Sequence, residues 1–207
     1  MFILATSLLI TVLVSSCSSD RTNAISCENI QDKDDKGKCY SDLALSKQDF
    51  NICNQIEIQL WKDDCYHKIA RKKQDIVVCE NIQDSNNKDF CYADIGIPKQ
   101  DLSICNKIQD QFLKDGCYSD VGSAKQDVTI CDSIPTQDAR DSCYANVGGD
   151  TKDMAICEKI QDKVQEMNKK DTCYARVAVG KKDVVICNKI QERSVRDDCK
   201  FAARSSS

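Results

Sequence analysis

The chain reads as an all-α solenoid of seven tandem, disulfide-stapled helical hairpins, about 26 residues per repeat. Three observations predict it. Fourteen cysteines from Cys27 to Cys199 alternate at steps of 12 and 14 residues, broken only by the step of 16 from Cys157 to Cys173. An Asp or Asn stands four residues before the first cysteine of every pair, at Asn23, Asp49, Asp75, Asp101, Asp127, Asp153 and Asp183. An Ile stands three residues after that cysteine in all seven units: Ile30, Ile56, Ile82, Ile108, Ile134, Ile160 and Ile190.

The first arm of each hairpin follows from these offsets. Asp and Asn are strong helix N-caps, because a short side chain accepts hydrogen bonds from free amides of the first turn. Apolar residues then stand three before the cysteine (Phe50, Ile76, Leu102, Val128, Met154, Val184) and one before it (Ile52, Val78, Ile104, Ile130, Ile156, Ile186). Together with the cysteine and the later Ile they share one helical face. The pattern predicts an amphipathic helix of about nine residues.

The second arm is built around the second cysteine. A basic residue and an Asp precede it in Lys62-Asp63, Lys88-Asp89, Lys114-Asp115, Arg140-Asp141, Lys170-Asp171 and Arg196-Asp197. The aspartates suit the positive end of a helix. Tyr follows the cysteine at Tyr40, Tyr66, Tyr92, Tyr118, Tyr144 and Tyr174, which accounts for every Tyr in the chain. An aliphatic residue comes four after the cysteine (Leu43, Ile69, Ile95, Val121, Val147, Val177) and a small one five after it (Ala44, Ala70, Gly96, Gly122, Gly148, Ala178). The pattern predicts a helix of about eleven residues whose small-residue edge lets a neighbour approach closely. The last unit departs from the pattern, with Lys200 in place of Tyr and Ala203 in place of the larger aliphatic. Terminal repeats commonly depart in this way, because one of their faces meets water.

Helices this short are marginal alone in water, so the units must stack on one another and carry covalent staples. Spacing leaves two disulfide registers open. Pairing across 12 residues (Cys27–Cys39, Cys53–Cys65 and onward, with Cys157–Cys173 lengthened) uses every repeat cysteine, whereas pairing across 14 strands Cys27 and Cys199 at opposite ends. Within-hairpin pairing is favoured, each bond contributing about 3 kcal/mol in a chain-entropy account.

The amino-terminal residues 1–16, MFILATSLLITVLVSS, carry no charged side chain and are mostly apolar. That is the composition of a signal-peptide core, and it is short for a membrane span. The segment ends Val14-Ser15-Ser16-Cys17. These residues resemble the lipobox of prokaryotic membrane lipoproteins, and the resemblance covers this segment only. It implies cleavage before Cys17, attachment of lipid (palmitate included) to Cys17, and anchoring at the cell membrane, outer membrane or cell surface. Counting agrees, since setting Cys17 aside from 15 cysteines leaves 14 for pairing. Dense disulfides also argue for export from the reducing cytosol. The expected organisation is a signal peptide over 1–16, a lipidated tether over 17–22, the seven-unit repeat domain over 23–204 and a disordered tail over 205–207.

Chemistry-bearing constellations are sparse. No two repeat cysteines stand closer than 12 residues, unlike zinc half-sites, and the one histidine, His67, reads as surface. Asp32-Lys33-Asp34-Asp35-Lys36-Gly37 begins like a calcium loop, but Lys36 occupies a ligand position and Leu43 stands where the bidentate Glu belongs. The paired acids Asp34-Asp35, Asp63-Asp64 and Asp197-Asp198 read as helix caps. No cofactor, metal or catalytic residue is expected. The 29 basic and 33 acidic residues are interleaved, giving a net charge of −4 without the clustered basic footprint of a nucleic-acid binder.

The expected role is therefore a non-enzymatic interaction scaffold binding a protein, or alternatively a glycan, on its repeat faces, with a structural spacer as the second reading. A thiol-redox or metal-buffering protein is a third class. Candidate binding residues are the recurring tyrosines (Tyr66, Tyr92, Tyr118, Tyr144) and two apolar pairs at variable hairpin tips, Leu60-Trp61 and Phe112-Leu113. The tyrosines admit a second reading, packing between units with the hydroxyl at the rim. The tip residues do too, as inward-facing starts of the second helix.

Overall fold

The computed structural model describes residues 27–161 and 168–205. The expected signal peptide, Cys17, its tether and the start of the first unit at Asn23 lie outside the described residues, as does most of the four-residue insertion before Cys173. Seven long helices run in chain order: α1 (Lys33–Lys47), α2 (Gln59–Lys73), α3 (Ser85–Lys99), α4 (Gln111–Lys125), α5 (Gln137–Thr151), α6 (Lys169–Lys181) and α7 (Arg193–Ser205). Short helical turns lie between them, at Phe50–Gln55, Ile76–Cys79, Leu102–Cys105, Val128–Asp132, Met154–Cys157 and Ile186–Lys189. No strand occurs among the described residues. Each long helix packs on the next long helix and on the turns beside it, so element contacts follow chain order, as in a solenoid.

The arms are less equal than the sequence suggests. The first arm is only 4 to 6 residues long and the second 13 or 15. The expected N-caps are present: the carboxylates of Asp49, Asp75, Asp101, Asp127, Asp153 and Asp183 each accept the N–H two residues on. The turn then closes on itself. The isoleucine N–H returns to the cysteine carbonyl, as from Ile56 to Cys53 at 3.1 Å, and the chain turns extended. A second set of caps starts the long helices upstream. Asp32, Asp84, Asp110 and Asn168 accept backbone N–H groups of their first turns. The cap of α1 is thus Asp32 and not the paired acids Asp34 and Asp35, whose amides donate to it, and α7 extends through Ser205, where the sequence suggested a tail.

Long helices α1 to α6 end on a residue in the left-handed conformation: Gln48, Gln74, Gln100, Gln126, Lys152 and Lys182, with φ between 52° and 57°. The following Asp N–H bonds the carbonyl of the small residue four before the cap, as from Asp101 to Gly96 at 2.9 Å. This closure satisfies carbonyls that the helix end leaves open.

All seven disulfides join cysteines within one hairpin: Cys27–Cys39, Cys53–Cys65, Cys79–Cys91, Cys105–Cys117, Cys131–Cys143, Cys157–Cys173 and Cys187–Cys199, with Cα–Cα distances of 5.5–5.8 Å. Apart from the half-buried Cys39, these cysteines are buried with the repeated Ile, Val and Tyr side chains, so the staples form part of the core. The small residues admit the next unit. A Cβ added at Gly122 would lie 3.2 Å from Cys143 Sγ, and one at Gly148 would lie 2.9 Å from Cys173 Sγ. Seven disulfides also place the chain in an oxidising, extracytoplasmic environment. Among the described residues, no helix is long and apolar enough to cross a membrane.

Candidate interaction surface

The tyrosines take the packing role. Tyr40, Tyr66, Tyr92, Tyr144 and Tyr174 are buried in the core, and Tyr118 is half-buried beside it. From Tyr66 onward each hydroxyl finds an acceptor 12 residues earlier, just after the first cysteine of its own hairpin. Tyr66 donates to Asn54 at 2.6 Å, Tyr118 to Asn106 at 2.7 Å and Tyr144 to Asp132 at 2.5 Å. Tyr92 and Tyr174 donate to Glu80 and Glu158. A hydrogen bond therefore runs parallel to each of these five disulfides, one residue along. Burial, then the neighbouring carboxylate, pushes the Tyr144 phenol up to about 12 and raises Tyr92 and Tyr174 in the same way. An open aromatic ladder at Tyr66, Tyr92 and Tyr144 is thereby replaced by a buried one.

Where that acceptor is an acid, the next repeat answers with a lysine. Lys107 pairs with Glu80, Lys159 with Asp132 and Lys189 with Glu158, each at 3.0 Å. Each ammonium also lies over a tyrosine ring, Tyr92, Tyr144 or Tyr174, at 5.2–5.7 Å. Where the acceptor is Asn54 or Asn106, the answering residue is the uncharged Asn81 or Ser133. This face is a neutralised ladder between repeats. His67 joins a similar contact on the helices: its Nε2 lies 3.0 Å from Asp94 Oδ2 in the next repeat, so it is half-buried and partnered.

The aspartates two residues before the second cysteine do something that the sequence pattern does not suggest. Asp63, Asp89, Asp115, Asp141 and Asp171 are buried. All but Asp115 reach forward to the backbone that enters the next long helix. Asp63 accepts the N–H groups of Gln83 and Asp84 at 3.0 and 2.9 Å, and Asp89 those of Gln109 and Asp110 at 2.9 and 2.8 Å. Asp171 accepts from Gln191 and Glu192, and Asp141 from Gln161. A charged acceptor on backbone donors gives a strong bond, so these are clamps between repeats.

Two junctions lack the clamp. In the first repeat Gly37 holds the clamp position, and a Cβ there would lie 3.4 Å from Trp61 Cβ. Trp61 is half-buried against this site and donates Nε1–H to Asp34 Oδ1 at 2.6 Å, so packing replaces the clamp. Between α4 and α5 the first of the two donor positions is Pro135, which has no N–H, and the second, Thr136, does not reach Asp115 Oδ2. Asp115 Oδ1 accepts from Gln111 Nε2 at 2.6 Å, but Oδ2 is buried without a partner. The buried apolar side chains change cluster here too: one cluster runs from Cys27 to Ile130 and the other from Cys131 to Ala203, with Tyr118 touching both.

The tip residues split by their position on the helix. Trp61 and Leu113 turn inward against the core, whereas Leu60 and Phe112 stand 65% and 84% exposed at equivalent positions two repeats apart. Phe112 borders a recess of about 330 Å³ between α4 and α5, whose lining includes Asp115, Gly116, Ser119, Asp120, Ala139 and Ser142. Leu60 borders the corresponding groove between α2 and α3. Surrounding chain raises the Asp120 carboxyl above its ordinary value by desolvation. Among the described residues, no three His, Cys, Asp or Glu side chains converge as a metal site. No family model matches the chain, and no curated protein or solved structure matches it either.

Proposed function

We propose that this chain is a lipid-anchored, extracytoplasmic, non-enzymatic scaffold that binds a protein partner along the grooves between its long helices. The observation that carries the reading is the pair Leu60 and Phe112. Both are large apolar side chains left exposed at equivalent positions, each at the mouth of an inter-helix groove. Aromatic and aliphatic anchors of this kind are what protein interfaces use. Pairing of the fourteen repeat cysteines occupies the sulfurs that a thiol-redox or metal-buffering role would need. Anchoring is proposed through Cys17 on the lipobox-like Val14-Ser15-Ser16-Cys17.

The test is site-directed crosslinking in the native cell envelope from Asn86 and Ser142, which line the same grooves as Leu60 and Phe112. A discrete adduct lost in the Leu60→Ser/Phe112→Ser variant, at unchanged melting temperature, supports the scaffold. Without such an adduct, the second reading takes over: a rigid envelope spacer, favoured by the buried clamps between repeats. Radiolabelled palmitate incorporated by the wild type and lost in Cys17→Ser tests the anchor separately.

A further inference from the structure

The recess between α4 and α5 differs from the other clamp junctions in that its buried carboxylate has been left with a vacant acceptor. Asp115 is 2% exposed, it lines this recess and also a smaller one on its other side, and its Oδ2 has no hydrogen-bond partner. In the Asp63 and Asp89 clamps Oδ1 receives the first backbone N–H of the next hairpin's entry and Oδ2 the second; here Pro135 deletes the first donor, and the second, Thr136 N–H, does not reach Oδ2. A buried charged acceptor without a donor is costly, and a ligand that supplies one is favoured accordingly.

We propose that this recess binds the side chain of a lysine presented by the partner protein, its ammonium taken by Asp115 and Asp120. The recess lining fits a stem as well as a charge. Phe112, 84% exposed, and Ala139 supply apolar surface, and Gly116 opens the wall, since a Cβ there would meet nothing within 4 Å. Asp138, also in the lining, is already paired with Lys169. Asp120, exposed at the rim, forms no ion pair among the described residues, and partial desolvation holds its carboxyl above its ordinary value.

The donor geometry selects ammonium over guanidinium. Gln111 already donates to Asp115 Oδ1, so Oδ2 is the oxygen without a donor. A compact ammonium needs only one, whereas the arginine fork is matched to both oxygens of a carboxylate. Side-chain rearrangement at the floor, of the scale common when interfaces form, brings Oδ2 into reach. Lys114, which lines the smaller recess with Asp115, is the internal competitor.

The proposal rests on the scaffold reading only for the lysine's owner; the pocket itself is tested on the full chain alone, disulfides intact. Amide NMR shifts are followed while Nα-acetyl-lysine N-methylamide is added, with the norleucine and arginine analogues as controls. The expected result is saturable shifts at Gly116, Ser119 and Ala139 with the lysine analogue, and binding about tenfold or more weaker with either control. Pro135→Gln restores the first donor of the clamp, draws Thr136 N–H onto Oδ2 as its counterparts are at Asp63 and Asp89, and should abolish the response, and Gly116→Leu should block it by filling the recess. Three outcomes overturn the proposal: no saturable response, as when Lys114 closes the site; equal response to norleucine or arginine; or an unchanged response in Pro135→Gln. Failure here leaves the crosslinking test standing, because Leu60 lies in a different groove.

Discussion

Asp89 accepts the backbone N–H of Asp110 at 2.8 Å, from a side chain buried in the preceding hairpin. The neighbouring Gln109 N–H reaches the other oxygen at 2.9 Å. One carboxylate thus closes two backbone donors that would otherwise be left open at the entrance to α4. It also makes the fold of one repeat depend on the placement of the next. Asp89→Asn presents an amide to donors and is expected to cost about 2–3 kcal/mol in urea unfolding of the full chain. Asp197, at the same position in the seventh repeat, is exposed. Its Asn variant is expected within about 0.5 kcal/mol of wild type.

Two glycines should respond to alanine with opposite signs. At Gly148 the new Cβ would meet the disulfide sulfur of Cys173 at 2.9 Å and Ile156 at 3.2 Å, neither of which yields easily. Overpacking there is expected to lower stability by about 1–3 kcal/mol. At Gly116 the Cβ meets nothing within 4 Å, and the helix gains a better former. Stability should rise by about 0.5–1 kcal/mol. Thermal melts of the two variants check both.

The left-handed caps are a further point of adjustment. Gln100 sits at φ 52° without glycine's freedom. Gln100→Gly relieves a strain of about 1 kcal/mol, partly offset by a freer unfolded chain, so a net gain near 0.5 kcal/mol is expected. Gln100→Ile, β-branched at the same φ, should destabilise. Denaturant midpoints separate the two.

Acid should loosen the inter-repeat ladder at Glu158. The Tyr174 hydroxyl and then Lys189 hold its carboxyl down at about 2, against an ordinary value of 4.5. Because the folded value is the lower one, the contribution is fully present above about pH 4.5 and is lost as pH falls towards 2. Glu158 is 48% exposed, so solvent screening keeps the effect below about 1 kcal/mol. Melting temperatures of wild type and Glu158→Gln should differ at pH 7 and converge near pH 2.

The repeat, the helical class and the disulfide partners were legible in the sequence because spacing carries them. Cys53 and Cys65 can meet only if the chain between them folds back, and the Ile and Tyr offsets say which faces turn inward. The clamps were not legible. Asp63 looks like a charge at a helix start, and nothing local reveals that its donors are backbone groups at Gln83 and Asp84. The significance of Pro135 follows from the same long-range register. Leu60 and Trp61 are adjacent in sequence but about 100° apart on a helix. Their separate fates, one exposed and one against Gly37, depend on where α2 begins, and its N-cap position is Ile58, which carries no capping signal. The left-handed Gln caps escaped for a related reason, since that conformation usually announces itself with glycine.

Non-reducing peptide mapping by mass spectrometry tests the central claim, that each hairpin is stapled internally and the stack is built from these closed units. The account predicts linked peptides joining Cys53 to Cys65, Cys79 to Cys91, Cys157 to Cys173 and their equivalents. Peptides joining Cys39 to Cys53 or Cys65 to Cys79 in the native protein would contradict it.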